Sequence, residues 1–474
     1  MKLPRSALAA IATALLAGCA AVGPDYQRPA FELPQSYPDA PSGQGAGALL
    51  RADWWTLYGD ARLDELVATA LEKNSDIRLA VARIEEADAN LRAANAAFLP
   101  EIDVGAGPNR TRFSQNVAVP APAPFPAVRN DIRVAASTSF ELDFWGKLRR
   151  AAESVRAQAL GTRYARDVVA LTLAGLTAQT YFSLRSLDAQ VTVTAQTLAS
   201  REQYLDFIRR RARGGIASGL DVAQAEASLA DSASQLKDLR RQRSLAEHLL
   251  GTLTGRLDIA VAGGDLLVLP VPPLPPADLP SALIERRPDI RQSEQALVSS
   301  NALIGVAKAA MLPTISLTGN DGWESSALST LLLGSSRIWS FGFGLSLPIF
   351  DAGRYAALTD AAKARAQQSL AGYQKAIETA FREVADALAN TQQTAAAEDD
   401  DRARVEAARD ALRLARLRYE AGYSAYLEVL DAERTANDAA LAFVRNRQSR
   451  LSASVDLMKA LGGGWAPEAT ASKP

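Results

Sequence analysis

From Asp131 to Phe144 the chain alternates without a slip. Ile132, Val134, Ala136, Thr138, Phe140, Leu142 and Phe144 fall on one face, and Asp131, Arg133, Ser137, Ser139, Glu141 and Asp143 on the other. A period of two predicts a β-strand. The same signal returns where Trp339, Phe341, Phe343, Leu345, Leu347 and Ile349 oppose Ser340, Gly342, Gly344 and Ser346. Between these runs the period lengthens. From Lys147 to about Arg213 nothing interrupts a helical pattern except the isolated Gly161 and Gly175, which predicts a helix of roughly 100 Å at about 1.5 Å per residue. Along it Leu184, Leu187, Val191, Leu198, Leu205 and Ile208 recur at steps of three, four and seven, and Val405, Ala408, Leu412, Ala415 and Tyr419 later on at steps of three and four. That spacing is a coiled-coil seam.

The recurrence is systematic. Asn74-Ser75-Asp76-Ile77-Arg78 matches Arg287-Pro288-Asp289-Ile290-Arg291, and each is followed by a proline and a strand-like run, Phe98 to Val104 and Met311 to Leu317. Leu142 to Lys147 corresponds to Leu347 to Ala352, and Gly215 to Glu226 aligns with Gly422 to Glu433, at offsets between 205 and 213. Each copy reads as helix, strand, loop, strand, long helix, turn and helix. The period is far beyond the 20 to 50 residues of solenoids, so the expectation is a duplicated domain. The fold class is α+β, organised as a signal peptide 1–18, an N-terminal segment 19–59, a first repeat 60–255, a Pro-rich linker 256–280, a second repeat 281–462 and a tail 463–474.

Composition narrows the function. Of 474 residues, 52 are Lys or Arg and 53 Asp or Glu, a balance without the basic footprint of a nucleic-acid partner. No run of 18 apolar residues occurs, so helical membrane spans are not expected. One cysteine, Cys19, and one histidine, His248, leave no material for a disulfide, a Cys/His zinc site or a cysteine–histidine dyad. His248 lies within an amphipathic helix pattern, where a partly solvated or packed helix residue is expected. No phosphate loop or HExxH motif is present. An enzyme is not expected, and neither is a metal or cofactor.

The single cysteine has its own context. Lys2 and Arg5 precede a short apolar stretch that ends in Leu16-Ala17-Gly18-Cys19. A basic start, an apolar run and small residues before a cut form a secretory signal. The ending resembles a bacterial lipobox, in which Cys19 is acylated and becomes the first mature residue. Ala20 at the next position resembles the sorting signal for the outer membrane. A covalent lipid on Cys19 tethers the chain without spanning the bilayer.

In that setting the alternating runs gain weight. Transmembrane β-strands have this dyad pattern and escape hydropathy windows. The segments Phe113 to Asn130 and Asn320 to Ser336 would serve as extracellular loops. Four strands cannot close a barrel, and an open edge is untenable in lipid, so several copies must contribute. Three would give twelve strands and room for water; closure alone also allows two or four.

Taken in order, Cys19 with Val22-Gly23-Pro24-Asp25-Tyr26, Trp54-Trp55 with Tyr58-Gly59-Asp60, Glu285 to Arg291, and the two turns after Gly215 and Gly422 make the chain resemble the TolC-like outer membrane efflux family, in its NodT or OprM-like lipoprotein branch. The resemblance covers essentially the whole mature chain. It implies a homotrimer whose twelve-stranded β-barrel continues into a periplasmic α-helical barrel. It also implies partnership with a periplasmic adaptor (membrane fusion protein) and an inner-membrane pump, in contact with outer membrane lipid. By the same resemblance Leu427, Glu428 and Asp431 narrow the periplasmic aperture, and Asp221 and Tyr419 occupy positions where a closed-state hydrogen bond links neighbouring helices. Ser424 stands where some relatives carry a basic residue. An alternative role for the acids is helix capping, since carboxylates in a first turn favour the helix dipole. Gly215 and Gly422 would permit the left-handed turns.

Two rival functions remain open from sequence. One is a periplasmic lipidated coiled-coil adaptor or structural lipoprotein; an adaptor would show one helical hairpin between β-rich lipoyl-like halves, whereas this chain shows two hairpins and two strand pairs. A cell-wall enzyme would need a catalytic carboxylate in a compact domain, whereas the acids here fall on helix faces.

Overall fold

The computed structural model describes residues 21–32, 34, 36–37, 51–114, 116–117, 126–273 and 283–465. The signal segment and Cys19 lie outside them, as do residues 274–282, where the Pro-rich linker meets the second repeat, and the last nine residues. After a short 3-10 turn at Trp54–Tyr58 come α1 (Ala61–Lys73), α2 (Ser75–Ala96), β1 (Glu101–Arg112), β2 (Val128–Leu142), α3 (Lys147–Arg213) and α4 (Gly219–Thr254). The series then repeats as a short α5 (Leu283–Arg286), α6 (Pro288–Ala309), β3 (Thr314–Ser325), β4 (Arg337–Ser346), α7 (Arg354–Glu420) and α8 (Tyr426–Ala460).

The duplication is close to residue-for-residue. The helices α2 and α6 each have 22 residues, the strands β1 and β3 each have 12, and α3 and α7 each have 67. Their starts also correct one part of the sequence alignment. Lys147 is equivalent to Arg354 and Gly146 to Gly353, an offset of 207 (354 − 147) that persists to the following helices. The match of Leu142 with Leu347 is therefore two residues out of register. Both long helices begin beyond a glycine of positive φ, Gly146 at 77° and Gly353 at 83°, with an aspartate supplying the cap. Asp143 accepts from the amides of Leu148 (3.0 Å) and Arg149 (2.9 Å), and Asp351 from those of Gly353 (3.0 Å) and Tyr355 (2.9 Å). Such carboxylates satisfy donors that a helix start leaves orphaned.

The chain forms two compact units, and neither follows a repeat. One comprises Met1–Ala30, Ile84–Thr162 and Ser293–Tyr373; the other comprises Phe31–Arg83, Arg163–Gln292 and Gln374–Pro474. Strand pairing is the physical reason. The sheet is an antiparallel meander β1-β2-β3-β4, so its central pair joins the second strand of one copy to the first strand of the other. The strands also run further than the sequence suggested. Val128 to Asn130 and Asn320 to Ser325 belong to β2 and β3 and are not loop, because Arg112 pairs with Val128 and Ser325 with Ile132.

In the first unit the segment after the cysteine is held against the strand–helix junction. The Val22 amide donates to the Trp145 carbonyl at 2.9 Å, and Asn301 donates to the Pro24 carbonyl at 2.9 Å. Arg28 donates to both oxygens of the buried Glu294, at 2.6 and 3.1 Å. Gly23, at φ 113°, lies so close to Gly305 that a Cβ on it would stand 2.6 Å from that Cα. The Val-Gly-Pro-Asp-Tyr signature is thus a packed strap.

The second unit has an aromatic core in which Trp54, Tyr58, Phe182, Leu250, Leu451 and Val455 are buried. Tyr58 shares a 2.7 Å hydrogen bond with Ser454, and Tyr181 donates to Asp60 at 2.5 Å. Through Trp54 and Tyr58 the Trp54-Trp55/Tyr58-Gly59-Asp60 signature therefore contributes to the core of this unit. Asp60 also caps α1 through the amides of Arg62 and Leu63. Of the seam residues Leu184, Leu187, Leu205, Ile208, Val405, Ala408, Ala415 and Tyr419 are buried, while Val191, Leu198 and Leu412 are half-buried. His248 is exposed on α4.

Candidate functional site

Two places in the chain have the chemistry of a membrane passage. The first is the sheet. Residues paired directly across an antiparallel sheet share a face, so the register sorts every side chain. One face carries Ile102, Val104, Val134, Ala136, Phe140, Leu142, Ile315, Leu317, Trp339, Phe341, Phe343 and Leu345. The other carries Asp103, Arg133, Ser137, Ser139, Glu141, Ser316, Thr318, Asn320 and Ser340. The apolar face is bare: Trp339 is 75% exposed, Phe341 71% and Phe343 78%. A contiguous apolar face of this kind is costly in water and normal against lipid. Among the described residues no helix is long and apolar enough to cross a membrane, and strands of this kind need none.

The second place is in the other unit, where the reversals after α3 and α7 come together. Gly215 (φ 74°) and Gly422 (φ 80°) take the left-handed conformation that ends each long helix. Behind them Leu205, Ile208, Ala415, Tyr419, Tyr426 and Val429 form one buried cluster. Tyr426 stacks on Tyr204 with ring centroids 5.7 Å apart and lies 5.6 Å from Tyr419, and the Arg211 guanidinium sits 5.0 Å above the Tyr419 ring. Burial, followed by the charge of Asp221, raises the Tyr419 hydroxyl above its ordinary value. Beneath, the buried Glu433 carboxylate accepts from Arg416 at 2.9 Å and lies 3.4 Å from Arg201.

The candidate gate residues differ from one another in this setting. Asp221 takes part in a capping box: the Ser218 amide donates to its carboxylate at 2.9 Å, and its own amide donates to the Ser218 hydroxyl at 3.1 Å. No hydrogen bond joins Asp221 to Tyr419 among the described residues. The equivalent of Asp221 in the second copy, 207 positions on, is Glu428. There the capping position is Ala425, which offers no side-chain acceptor, and the Glu428 carboxylate lies 3.1 Å from Arg418. Asp431 accepts from Arg434 at 2.8 Å. Leu427 is 62% exposed. Ser424 is half-buried, with a hydroxyl that finds no partner among the described residues. Capping therefore accounts for Asp221 and leaves Glu428 and Asp431 to their arginines. The tyrosine cluster and the Arg416–Glu433–Arg201 node were not singled out from sequence. The i,i+3 spacing of Asp431 and Arg434 was legible, but the approach of Arg418 across the turn was not.

A sheet with one lipid-type and one polar face, combined in one chain with two coiled-coil hairpins that reverse at glycines, has the layout of a membrane duct. The comparisons agree. The sequence profile of the family described as "Outer membrane efflux protein" matches residues 66–256 and 279–463, and the chain belongs to that family. It is 35% identical to the outer membrane protein OprJ of Pseudomonas aeruginosa, over 98% of this chain and 97% of that protein. It is 33% identical to the cation efflux system protein CusC of Escherichia coli, over 95% of this chain and 97% of that protein. The crystal structure of the Campylobacter jejuni CmeC outer membrane channel superposes with a TM-score of 0.85 at 26% identity, over 94% of this chain and 96% of that one. The protein is thus an outer membrane efflux channel of the TolC-like type, and its relatives are channel proteins.

Proposed function

We propose that the protein works as a homotrimer, the exit duct of a tripartite system completed by a periplasmic adaptor and an inner-membrane pump. One observation carries this reading. The four-stranded sheet has a bare lipid-type face and ends at both sides in strands, β1 and β4, that have no further strand partner among the described residues. In lipid an unpaired edge leaves backbone groups without water, which costs several kcal/mol per group. Pairing β1 of one copy with β4 of the next removes the edges, and three copies give a twelve-stranded barrel wide enough for a wet lumen.

The gate in this reading is the pair of helical turns. Leu427 narrows the passage, and Glu428 and Asp431 line it with carboxylate, each moderated by an arginine of its own chain. In the closed trimer Asp221 and Tyr419 link neighbouring helices by a hydrogen bond that the single chain, where Asp221 caps its own helix, does not make, and Gly215 and Gly422 set the turns. Carboxylate rings in a narrow passage favour cations. Cys19 carries the lipid anchor, and the strap from Val22 to Arg28 ties that anchor to the unit that holds the sheet. No bond chemistry is involved, and no cofactor is needed.

The test is the assembly itself. Detergent-purified protein should migrate as a trimer before heating and as a monomer after it, and should form discrete pores in planar bilayers. Monomeric migration without pores would overturn the reading.

A further inference from the structure

We propose that the lipid-facing side of the sheet carries, at the end away from the helices, an arginine collar that binds the phosphate groups of outer-leaflet glycolipid. The collar is formed by Arg110, Arg112 and Arg337, and the inference rests on the reading that this sheet spans the outer membrane.

The register carries it. On the apolar face β1 reads Ile102, Val104, Ala106, Pro108 and then Arg110 and Arg112; β4, followed in the opposite direction, reads Leu345, Phe343, Phe341, Trp339 and then Arg337. Each arginine stands at the step where its own strand's apolar run ends. The two ends are offset along the ladder: Arg337 pairs with Trp323, which lies opposite Val134 and so level with Ala106, short of Arg110. Strands that tilt by about 35–45° in a barrel produce such an offset at constant height. Arginine on a lipid face costs about 2–4 kcal/mol at the bilayer midplane and nearly nothing at the interface. The three side chains therefore mark the headgroup level, with Trp339 and Trp323 beside them as an aromatic girdle.

Charge at this level is only partly compensated, and Arg110 and Arg112 carry the excess. The face holds one acid, Asp321, and it is taken by Arg337 at 3.1 Å. Arg110 and Arg112 are exposed and have no ion pair among the described residues. The connection 113–127 that follows them contains no Asp or Glu. On the opposite face at the same end Arg133 is set directly across from Glu324. The helix end of the apolar face, from Phe140 and Leu142 to Ile315 and Leu345, carries no charge at all. The excess of positive charge thus occurs only at the end reached by the outer leaflet, where phosphate is borne on glycolipid. A guanidinium offers phosphate a planar two-donor fork, and two arginines at alternate positions of one strand stand about 7 Å apart on the same face, a spacing that one phosphorylated headgroup can bridge.

The experiment uses the full-length assembled protein in phosphatidylethanolamine vesicles doped with bis-phosphorylated lipid A or with its dephosphorylated form. Bound glycolipid is counted by native mass spectrometry. The wild-type protein should prefer the phosphorylated form. R110Q/R112Q should weaken that binding by about fivefold per arginine, about 25-fold together, and should leave the dephosphorylated form unaffected. R110K/R112K keeps the charge and should retain most of the affinity. Equal retention by R110Q/R112Q and wild type, or equal binding of both glycolipids by wild type, overturns the collar. So does displacement of the lipid by millimolar inorganic phosphate, which would identify a site for the free anion. Pore conductance measured on the same R110Q/R112Q sample separates the two readings, because it should match wild type whether or not the collar binds lipid.

Discussion

Gly422 shows how much one position decides. Its φ of 80° lies where a side chain is strained, yet nothing stands within 4 Å of a Cβ built there. Gly422→Ala should therefore lower stability through backbone strain alone, by about 1–2 kcal/mol, seen as a lowered thermal midpoint with unchanged helicity. Glu428 and Asp431 are separable in the same way. With Ala425 offering no cap, replacing both carboxylates by alanine should leave α8 intact and reduce the cation selectivity of pores in planar bilayers. Unchanged selectivity would remove them from the passage. Both glycines and both acids were legible in the sequence, because turn chemistry and local spacing are short-range. Their partners were not. Arg418 meets Glu428 only because the chain reverses at Gly422, and Tyr204 meets Tyr426 only because two hairpins more than 200 residues apart pack together.

At the scale of elements, the two faces of β4 carry opposite expectations. Phe343→Arg should cost about 2–4 kcal/mol of folding stability in lipid vesicles, measured by urea titration, while Ser340→Arg on the polar face should be tolerated. Helix pairing rests partly on charge. Glu398 on α7 is nearly buried and accepts from Arg447 and Arg450 of α8, and Arg447 also donates to the Leu269 carbonyl at 2.5 Å. Burial works against its charge, but hydrogen bonds from Arg450 and the charges of Arg447 and Arg450 prevail and hold the carboxyl below its ordinary value. A folded-state value below the unfolded one contributes stability that is present above the unfolded glutamate range, near about pH 4.3, and is lost as pH falls through the folded value. Denaturant titrations across that window should show a steep acid limb in the wild type and a flatter one in Glu398→Gln. Breaking the node at neutral pH should cost about 3–5 kcal/mol, as for other buried ion pairs left with one partner.

For the whole molecule the prediction concerns the anchor. Cys19→Ala should abolish acylation and leave trimers that still form pores, since the strap from Val22 to Arg28 is held by protein contacts of its own. Loss of assembly in that variant would make the lipid a structural part of the duct.

The elements and their duplication were readable because hydrophobic period, capping aspartates and turn glycines act within a few residues. The Lys147–Arg213 helix, both strand pairs and the order of elements all follow from that local grammar. What the tertiary structure decided is long-range. Residues remote in the chain meet only after folding, so no periodicity foretold that β2 of one copy would pair with β3 of the other and divide the repeats between two compact units. Local pattern separates the twin acids only in part, since the serine or alanine three residues before each is in the sequence but the arginine that meets Glu428 is not. Asp221 and Glu428 occupy equivalent positions, yet a serine beside one draws it into a cap, while an alanine beside the other leaves it to an arginine brought back by the turn.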